Sequence, residues 1–489
     1  MTRPATAKRH ARFTFLALAT LFALGAPLDA QEDSPLIGNW TGAINAGGGT
    51  LRLRLAVEAG TEGLRAQLFS IDQGNQAIPV ESIELAGRTV TFASPAIGVT
   101  YEGELSSDGS TIEGTFTQMG QALPLDLERG DGEAAAPARP QDPEEPLPYH
   151  SEDVSFENPD GGHRLAGTFT RPDGAGPYPG VVLISGSGPQ DRDEALMGHR
   201  PFLVLSDHLT RAGIAVLRFD DRGVGESTGD FSTATSFDFA SDARAAVDFL
   251  KGRPDVDPAR IGLAGHSEGG LVAPIVAADS DDLAFIVLMA GPGVTGEEIL
   301  YAQMALISEA GGATPEAVAK SRAYAERTYA VLKSDLGPDE ALSELREIAE
   351  EQMAAATPEE LATMGLTEEN KDAMIEGQLA AVNSPWFRAF LTYDPAPTLE
   401  RVSIPVLAIN GEKDLQVPYE VNLREIAAAL ERGGNPHFET HALPDLNHLF
   451  QHADTGHPSE YGTIEETWAP EAMELIANWI HETVSRPVS

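Results

Sequence analysis

The sequence predicts a small antiparallel β-domain followed by an α/β domain, whose mostly parallel sheet carries helices on both faces. Apolar and polar residues alternate with a period of two between residues 37 and 128, which is typical of strands with one buried face. Beyond residue 149 the strands become continuous apolar runs separated by helical spacing, as in a parallel sheet covered on both sides. A charged helical segment interrupts this order between residues 296 and 394.

Residues 1–30 are expected to be a signal peptide. Arg3, Lys8 and Arg9 belong to a basic lead that precedes a short apolar run, and Ala30 is a suitable cleavage point. The apolar run is short for a bilayer crossing, so a permanent anchor is disfavoured. The sequence therefore predicts an exported protein, periplasmic or secreted, with no stable membrane span after cleavage.

Charge and cysteine content exclude several functions. The 489 residues carry a formal net charge of −42, which argues against binding the phosphates of nucleic acids. There are no cysteines, so disulfides, thiolate metal sites and a cysteine nucleophile are excluded. The length predicts at least two folded units.

The expected β-domain covers residues 31–129. Residues 107–110, Ser-Asp-Gly-Ser, predict a hairpin turn between two alternating runs, and Trp40 is the expected core anchor. A packing or accessory role is favoured over a specific ligand site. Residues 130–148 are rich in proline, glycine and acids, which predicts a stiff, extended linker to the next domain.

The catalytic domain is expected over residues 149–295 and 395–489, with residues 296–394 inserted as a helical cap above the strand ends. Its predicted buried strands are residues 181–184, 214–217, 261–264, 285–288 and 404–410. In the cap, one helix has an apolar face expected to contain Leu342, Leu345, Ile348 and Ala349.

A Gly-x-Ser-x-Gly motif with Ser267 at its centre directly follows the strand at residues 261–264. An apolar helix begins immediately after it. A strand–turn–helix of this kind strains its central residue and lifts the hydroxyl clear of the sheet. Gly265 and Gly269 flank the serine where strand and helix pass too close for a β-carbon.

Five motifs in order make residues 148–489 resemble the α/β-hydrolases, of the esterase and serine-aminopeptidase-like branch. They lie at residues 185–193, 220–227, 265–270, 410–414 and 446–450. The resemblance implies the α/β-hydrolase fold with a helical cap and says nothing about residues 31–130. The acidic turn at residues 220–223 is interpreted as structural.

A serine hydroxyl needs a base within hydrogen-bond reach, and that base needs an orienting acid. The chain order Ser267, Asp414, His448 is the one expected for this fold. Asp414 follows an apolar strand, and Glu412 is its weaker rival. The rivals of His448 are His441, His452 and His457.

Two backbone N–H groups are expected to stabilise the oxyanion. One belongs to Glu268, which follows the nucleophile, and the other to Ser187, in the loop after the first long apolar strand. Many relatives carry His-Gly where this chain has Ser185 and Gly186, so the choice of the second N–H stays open.

The sequence also offers candidate residues for the substrate pocket. Gly186 and Gly188 let the backbone approach a substrate, and Asp191 either lines the pocket or fixes its loop. His266 is interpreted as a packing or hydrogen-bonding residue beside the nucleophile. In the aromatic stretch at residues 386–393, Trp386 and Phe390 either roof the pocket or pack the cap onto the core.

The sequence therefore predicts an exported serine hydrolase acting on small carboxylic esters, with no metal or organic cofactor implied. The alternatives are a peptidase of the same fold acting on short peptide-like substrates, and a binding protein that retains an idle hydrolase fold. A peptidase would need acids to hold a free amine, and Glu268, Asp191 and Asp193 are available for that role.

Overall fold

The computed structural model of the chain describes residues 34–46, 49–60, 63–71, 77–94, 98–118, 121–130, 139–356 and 371–485. The expected signal peptide lies outside these residues. So does the sequence Thr-Pro-Glu-Glu at residues 357–360, which predicts the start of a helix. Among the helices of the described part, none combines the length and apolar character that a bilayer crossing requires.

The first sheet is antiparallel, with strand order β4-β3-β2-β1-β10-β8-β7-β6-β5 and β9 paired to β8. Its strands are Gly38–Ala46 (β1), Gly49–Gly60 (β2), Gly63–Ser70 (β3), Ala77–Val80 (β4), Ser82–Ala86 (β5), Thr89–Ser94 (β6), Val99–Leu105 (β7), Thr111–Gln118 (β8), Gln121–Pro124 (β9) and Leu127–Gly130 (β10). The predicted hairpin turn joins β7 to β8.

This sheet curls back on itself because its two edge strands are consecutive in the chain. Only Glu81 separates β4 from β5, and its N–H donates to the Ala93 carbonyl on β6 at 2.9 Å. Trp40 is fully buried in the resulting core, as predicted, and its indole N–H donates to the Leu36 carbonyl at 2.8 Å. The antiparallel domain expected from the period-two pattern is present.

Residues 139–149 lie against the catalytic domain rather than extending freely. The Arg139 guanidinium donates to four backbone carbonyls, those of Met197, Gly198, Gly462 and Ile464, at 2.6–3.2 Å. Prolines and acids prevent this segment from forming a core of its own, but they leave its long side chains able to bind exposed carbonyl groups.

The second sheet has eight strands in the order β11-β12-β14-β13-β15-β16-β17-β18. They are His150–Asn158 (β11), His163–Arg171 (β12), Tyr178–Ile184 (β13), Ala215–Phe219 (β14), Val256–His266 (β15), Phe285–Met289 (β16), Val406–Gly411 (β17) and Phe438–Leu443 (β18). The strands β11, β12 and β14 pair antiparallel, and all the remaining pairs are parallel. The mostly parallel sheet is confirmed.

Helices lie between these strands and in the insertion. They are Pro201–Arg211 (α1), Ser236–Lys251 (α2), Gly269–Ala278 (α3), Gly296–Ala310 (α4), Pro315–Leu332 (α5), Pro338–Ala354 (α6), Lys371–Val382 (α7), Pro385–Thr392 (α8), Ala396–Leu399 (α9), Tyr419–Gly433 (α10) and Pro470–Ser485 (α11).

The inserted helices α4 to α8 share an apolar core of their own. In α6, Leu345 and Ile348 are buried as predicted, but Leu342 is 37% exposed, so its assignment to this face was wrong. Ala341 is buried instead, because residues 341, 345 and 348 lie on one helical face at a period of 3.6.

The turn from β15 into α3 is closed by direct backbone contact. A β-carbon on Gly265 would lie 1.9 Å from the Gly269 carbonyl oxygen, and one on Gly269 would lie 2.1 Å from the Ile184 carbonyl oxygen. Only glycine allows this approach. The carboxyl end of β13 therefore lies directly beside the turn.

Gly265→Ala should destabilise the catalytic domain by about 3 kcal/mol or more, because the added methyl group meets rigid backbone. The measurement is urea unfolding followed by circular dichroism. Gly377→Ala is the matched control: Gly377 lies within α7 with open space around it, so alanine should stabilise by about 0.5–1 kcal/mol. A Gly265→Ala protein as stable as the wild type would contradict the close-contact argument.

Candidate active site

Ser267 occupies the sharp turn between β15 and α3. Its φ of 52° is left-handed, which is uncommon for a residue other than glycine. The turn is held by the Ser267 N–H, which donates to the Met289 carbonyl at 2.8 Å, and by the Gly270 N–H, which donates to the Ser267 carbonyl at 2.9 Å. Within residues 261–270 only Ser267 is not fully buried, so its hydroxyl is the group presented at the surface of the turn.

Asp414 and His448 meet at the carboxyl end of the sheet. Asp414 Oδ2 lies 2.8 Å from His448 Nδ1, and both residues are buried. Asp414 Oδ1 accepts from the backbone N–H groups of Gln416 and Val417 at 2.8 and 2.9 Å, so the carboxylate has a fixed orientation. A carboxylate at Nδ1 selects the tautomer whose Nε2 carries a free lone pair.

His266 connects His448 to the serine turn. The rings of His266 and His448 lie 4.9 Å apart between centroids, and His266 directly precedes Ser267. Among the hydrogen bonds of the described residues, none joins the Ser267 hydroxyl to the His448 ring. In unliganded enzymes such a contact is often long and shortens when substrate binds. The structure thus places the loops of Ser267, Asp414 and His448 close together, with His448 and Asp414 in direct contact.

The rival residues have other surroundings. Glu412 is exposed. His441 and His452 are paired with nearby glutamates, and His457 contacts a neighbouring serine.

Two backbone N–H groups at the serine turn are available for an oxyanion. Among the contacts of the described residues, neither the Ser187 N–H nor the Glu268 N–H has an acceptor. By contrast, the Gly186 N–H donates to Glu194 Oε1 at 2.6 Å. Gly188 has a φ of 94°, which turns the chain sharply after Ser187. These contacts favour Ser187 over Gly186 as the second donor.

The side chain of Glu268 joins the cap to the serine turn. Its Oε1 accepts from the Ser236 hydroxyl at 2.5 Å and from the Trp386 indole N–H at 2.8 Å, while its buried Oε2 has no hydrogen-bond partner. Burial raises the pKa of Glu268, and the two donors oppose that rise only in part. Trp386 stacks on Phe390 at 5.2 Å, so this aromatic pair packs the cap onto the core beside Ser267.

Asp191 has the contacts of a loop-fixing residue, one of the two roles that the sequence left open. Its Oδ1 accepts from the backbone N–H groups of Asp193 and Ala195 at 3.0 and 3.1 Å. Asp193 is ion-paired with the buried Arg218. Asp193 is therefore neutralised by Arg218, and one oxygen of Asp191 is used within its own loop.

A small cavity lies next to the serine turn. Its lining residues are Ile184, Ser185, Gly186, Phe219, Asp221, Phe239, Asp242, Glu268 and Val272. Burial raises the pKa of Asp221 to about 8, and the charges of Glu268 and Glu194 add to the rise. Asp221 accepts from the Ser185 hydroxyl and the Gln190 N–H, both at 2.9 Å, which agrees with a structural role for the acidic turn.

Sequence reasoning missed Glu194 and Ser236. Glu194 contacts Gly186 and His266, and Ser236 at the start of α2 contacts Glu268. Neither residue belongs to a motif or a periodic pattern. The position of Glu194, a few residues after the proposed oxyanion loop, was the one local sign of its importance.

A serine on a tight turn between a parallel strand and a helix, with an acid and a histidine after later strands, defines the α/β-hydrolase class of proteins. Residues 181–461, more than half of the chain, match the model of the alpha/beta hydrolase family. The chain belongs to this family and is a hydrolase.

Several known proteins are similar to it. The esterase EstD of Thermotoga maritima is 27% identical over 342 residues, which cover 68% of this chain and 70% of EstD. An uncharacterized protein of Mycobacterium tuberculosis is 35% identical over 135 residues, which cover 28% of this chain and 44% of the mycobacterial protein.

Two solved structures show more distant likenesses. A Pyrococcus furiosus esterase is 17% identical with a TM-score of 0.41, and the match covers 69% of this chain and 92% of the esterase chain. A Mycobacterium smegmatis proline iminopeptidase is 18% identical with a TM-score of 0.40, and the match covers 68% of this chain and 98% of the iminopeptidase chain. These two likenesses carry no argument about the substrate.

Trp386→Phe should destabilise the protein by about 1–3 kcal/mol, because it removes one of the two donors to the buried Glu268 carboxyl while keeping an aromatic ring against Phe390. Urea unfolding measures the loss. In a Glu268→Leu background, where the acceptor is gone, the same change should cost clearly less. Equal losses in the two backgrounds would show that this hydrogen bond contributes nothing.

Proposed function

We propose that this protein is an exported serine hydrolase that cleaves small carboxylic esters through an acyl-enzyme on Ser267. The observation that carries the proposal is the 2.8 Å contact between Asp414 and His448 at the same end of the sheet as the strained Ser267 turn. A histidine fixed by a buried carboxylate next to a serine on such a turn suits general-base activation of that serine.

The reaction begins when the Ser267 hydroxyl attacks the ester carbonyl and His448 Nε2 takes the serine proton. Asp414 stabilises the imidazolium that forms, and the N–H groups of Glu268 and Ser187 donate to the oxyanion. His448 then gives the proton to the leaving alkoxide, and the acyl group stays on Ser267. Water, deprotonated by His448, attacks this ester and releases the acid.

Two observations support an ester substrate over a peptide with a free amine. EstD, which is similar to this protein over 68% of the chain, is named as an esterase. Of the acids available for binding an amine, Asp193 is also ion-paired with Arg218, and one oxygen each of Asp191 and Glu268 accepts hydrogen bonds from within the protein.

Export rests on the basic and apolar pattern of residues 1–30. If the proposal is right, the chain purified from the periplasm or medium of a bacterial host starts after Ala30, as read by N-terminal sequencing. Full-length chain confined to the cytoplasm of that host would contradict it.

Ser267→Ala should lower kcat on nitrophenyl esters by at least about 10⁴-fold, and Asp414→Asn by roughly 10³–10⁴-fold, because one removes the nucleophile and the other the group that selects the histidine tautomer. A fluorophosphonate probe should label the wild type at Ser267. Full turnover by Ser267→Ala would refute the mechanism.

The substrate class is tested on the same enzyme with short-chain nitrophenyl esters and amino-acid nitroanilides. The ester should give the higher kcat/KM. A preference for the anilides would favour the peptidase alternative while leaving the roles of Ser267, His448 and Asp414 intact.

A further inference from the structure

A buried contact between Glu194 and His266 is not used by the mechanism above. Glu194 Oε1 lies 2.9 Å from His266 Nδ1, and both side chains are buried. Glu194 has a φ of 52°, a left-handed conformation that is strained for a residue other than glycine. A strained backbone that places an acid inside the protein indicates that the position of this carboxyl is important.

Each member of this pair also binds a second element of the site. Glu194 Oε1 accepts from the Gly186 N–H at 2.6 Å, in the loop that carries Ser187. His266 Nε2 lies 3.0 Å from the backbone carbonyl oxygen of His448. The pair therefore connects the oxyanion loop, the serine turn and the loop of the general base by three consecutive hydrogen bonds.

The protonation of His266 follows from its acceptors. A carbonyl oxygen only accepts, so Nε2 must carry a hydrogen, and an ionised Glu194 requires a hydrogen on Nδ1 as well. Burial lowers the pKa of His266, but the charge and hydrogen bond of Glu194 outweigh burial and raise it, with a smaller contribution from Asp414. The other titratable groups facing the pair are His448 and Asp221.

We propose that Glu194 and His266 form a positioning pair that holds the oxyanion loop and the His448 loop in register with Ser267. The inference rests on the proposed function. Among the hydrogen bonds of the described residues, none joins either side chain to the Ser267 hydroxyl or to the His448 ring. Their effect is geometric, because Glu194 fixes the peptide just before Gly186 and His266 fixes the peptide just after the His448 side chain.

Glu194→Gln tests the pair directly. A neutral glutamine removes the charge that keeps His266 doubly protonated. The atom that replaces Glu194 Oε1 is then either an oxygen, which an unprotonated Nδ1 cannot bind, or an NH2 group, which cannot accept from the Gly186 N–H, so one of the two hydrogen bonds is lost. Loosening one loop should lower kcat on nitrophenyl esters by roughly 10–100-fold with little change in KM. As pH falls, protonation of His266 restores both hydrogen bonds, so the ratio of wild-type to variant kcat should decrease.

The kcat ratio separates a positioning role from a merely structural one, because a loss that does not depend on the protonation of His266 leaves the ratio independent of pH. A ratio that stays constant from pH 8 to pH 5.5 would overturn the inference. Glu439→Gln is the matched control: Glu439 also pairs with a histidine, His441 at 3.4 Å, but this contact is exposed and binds no part of the His448 loop. Its kcat should equal that of the wild type.

Two substitutions of His266 keep the test decisive if Glu194→Gln does not fold. In His266→Asn the amide lies near the position of Nδ1, so the contact with Glu194 is kept and the contact with the His448 carbonyl is lost. In His266→Gln the amide lies near the position of Nε2, so the His448 contact is kept and the Glu194 contact is lost. Both should lower kcat, and neither should lower it further when combined with Glu194→Gln, since residues acting as a unit are not additive. The positioning pair is refuted if the two losses of kcat multiply in the double variant. It is also refuted if both single His266 variants keep the kcat of the wild type.

The outcome for the pair is distinguishable from the outcome for the proposed function. If the wild type cleaves esters and Ser267→Ala does not, unaffected Glu194 and His266 variants count against the positioning pair alone. If Ser267→Ala turns over esters like the wild type, the proposed mechanism itself is wrong.

Discussion

Backbone-to-backbone contact at the serine turn is the constraint on which the rest of the site depends. Gly265 and Gly269 lie so close to each other and to β13 that no β-carbon fits, and Gly270 makes a similar contact with Gly291 after β16. Three neighbouring strands are therefore fixed at their carboxyl ends around Ser267. The loops that follow these strands start close together, which is why residues more than a hundred positions apart can cooperate in one reaction.

Buried acids surround this turn, and the protein stabilises them mainly by hydrogen bonds. Glu194, Asp221 and Glu268 accept from backbone N–H groups, hydroxyls, an imidazole and an indole. Burial raises the pKa of Asp221 and of Glu268, which favours their uncharged forms. This matters for catalysis, because a full negative charge beside the N–H groups of the turn would oppose the oxyanion that they are proposed to stabilise.

The peripheral parts of the chain are attached to the site at defined points. The cap reaches Glu268, the residue after Ser267, through Trp386. The segment before the catalytic domain reaches the loop of Glu194 through Arg139, which binds the carbonyls of Met197 and Gly198. The Trp386–Glu268 hydrogen bond thus joins the cap directly to the serine turn, in addition to the apolar packing of Trp386 and Phe390.

The sequence by itself determined the order of strands and helices, the Gly-x-Ser-x-Gly turn and the residues proposed for catalysis, because periodicity and motif spacing are local properties of the chain. It did not determine that Leu342 is exposed, that residues 139–149 bind the catalytic domain, or that Glu194 contacts His266. Those facts depend on which residues meet across large separations in the chain. Such long-range contacts leave no local pattern in the sequence, and they are determined only by the close packing of the folded backbone.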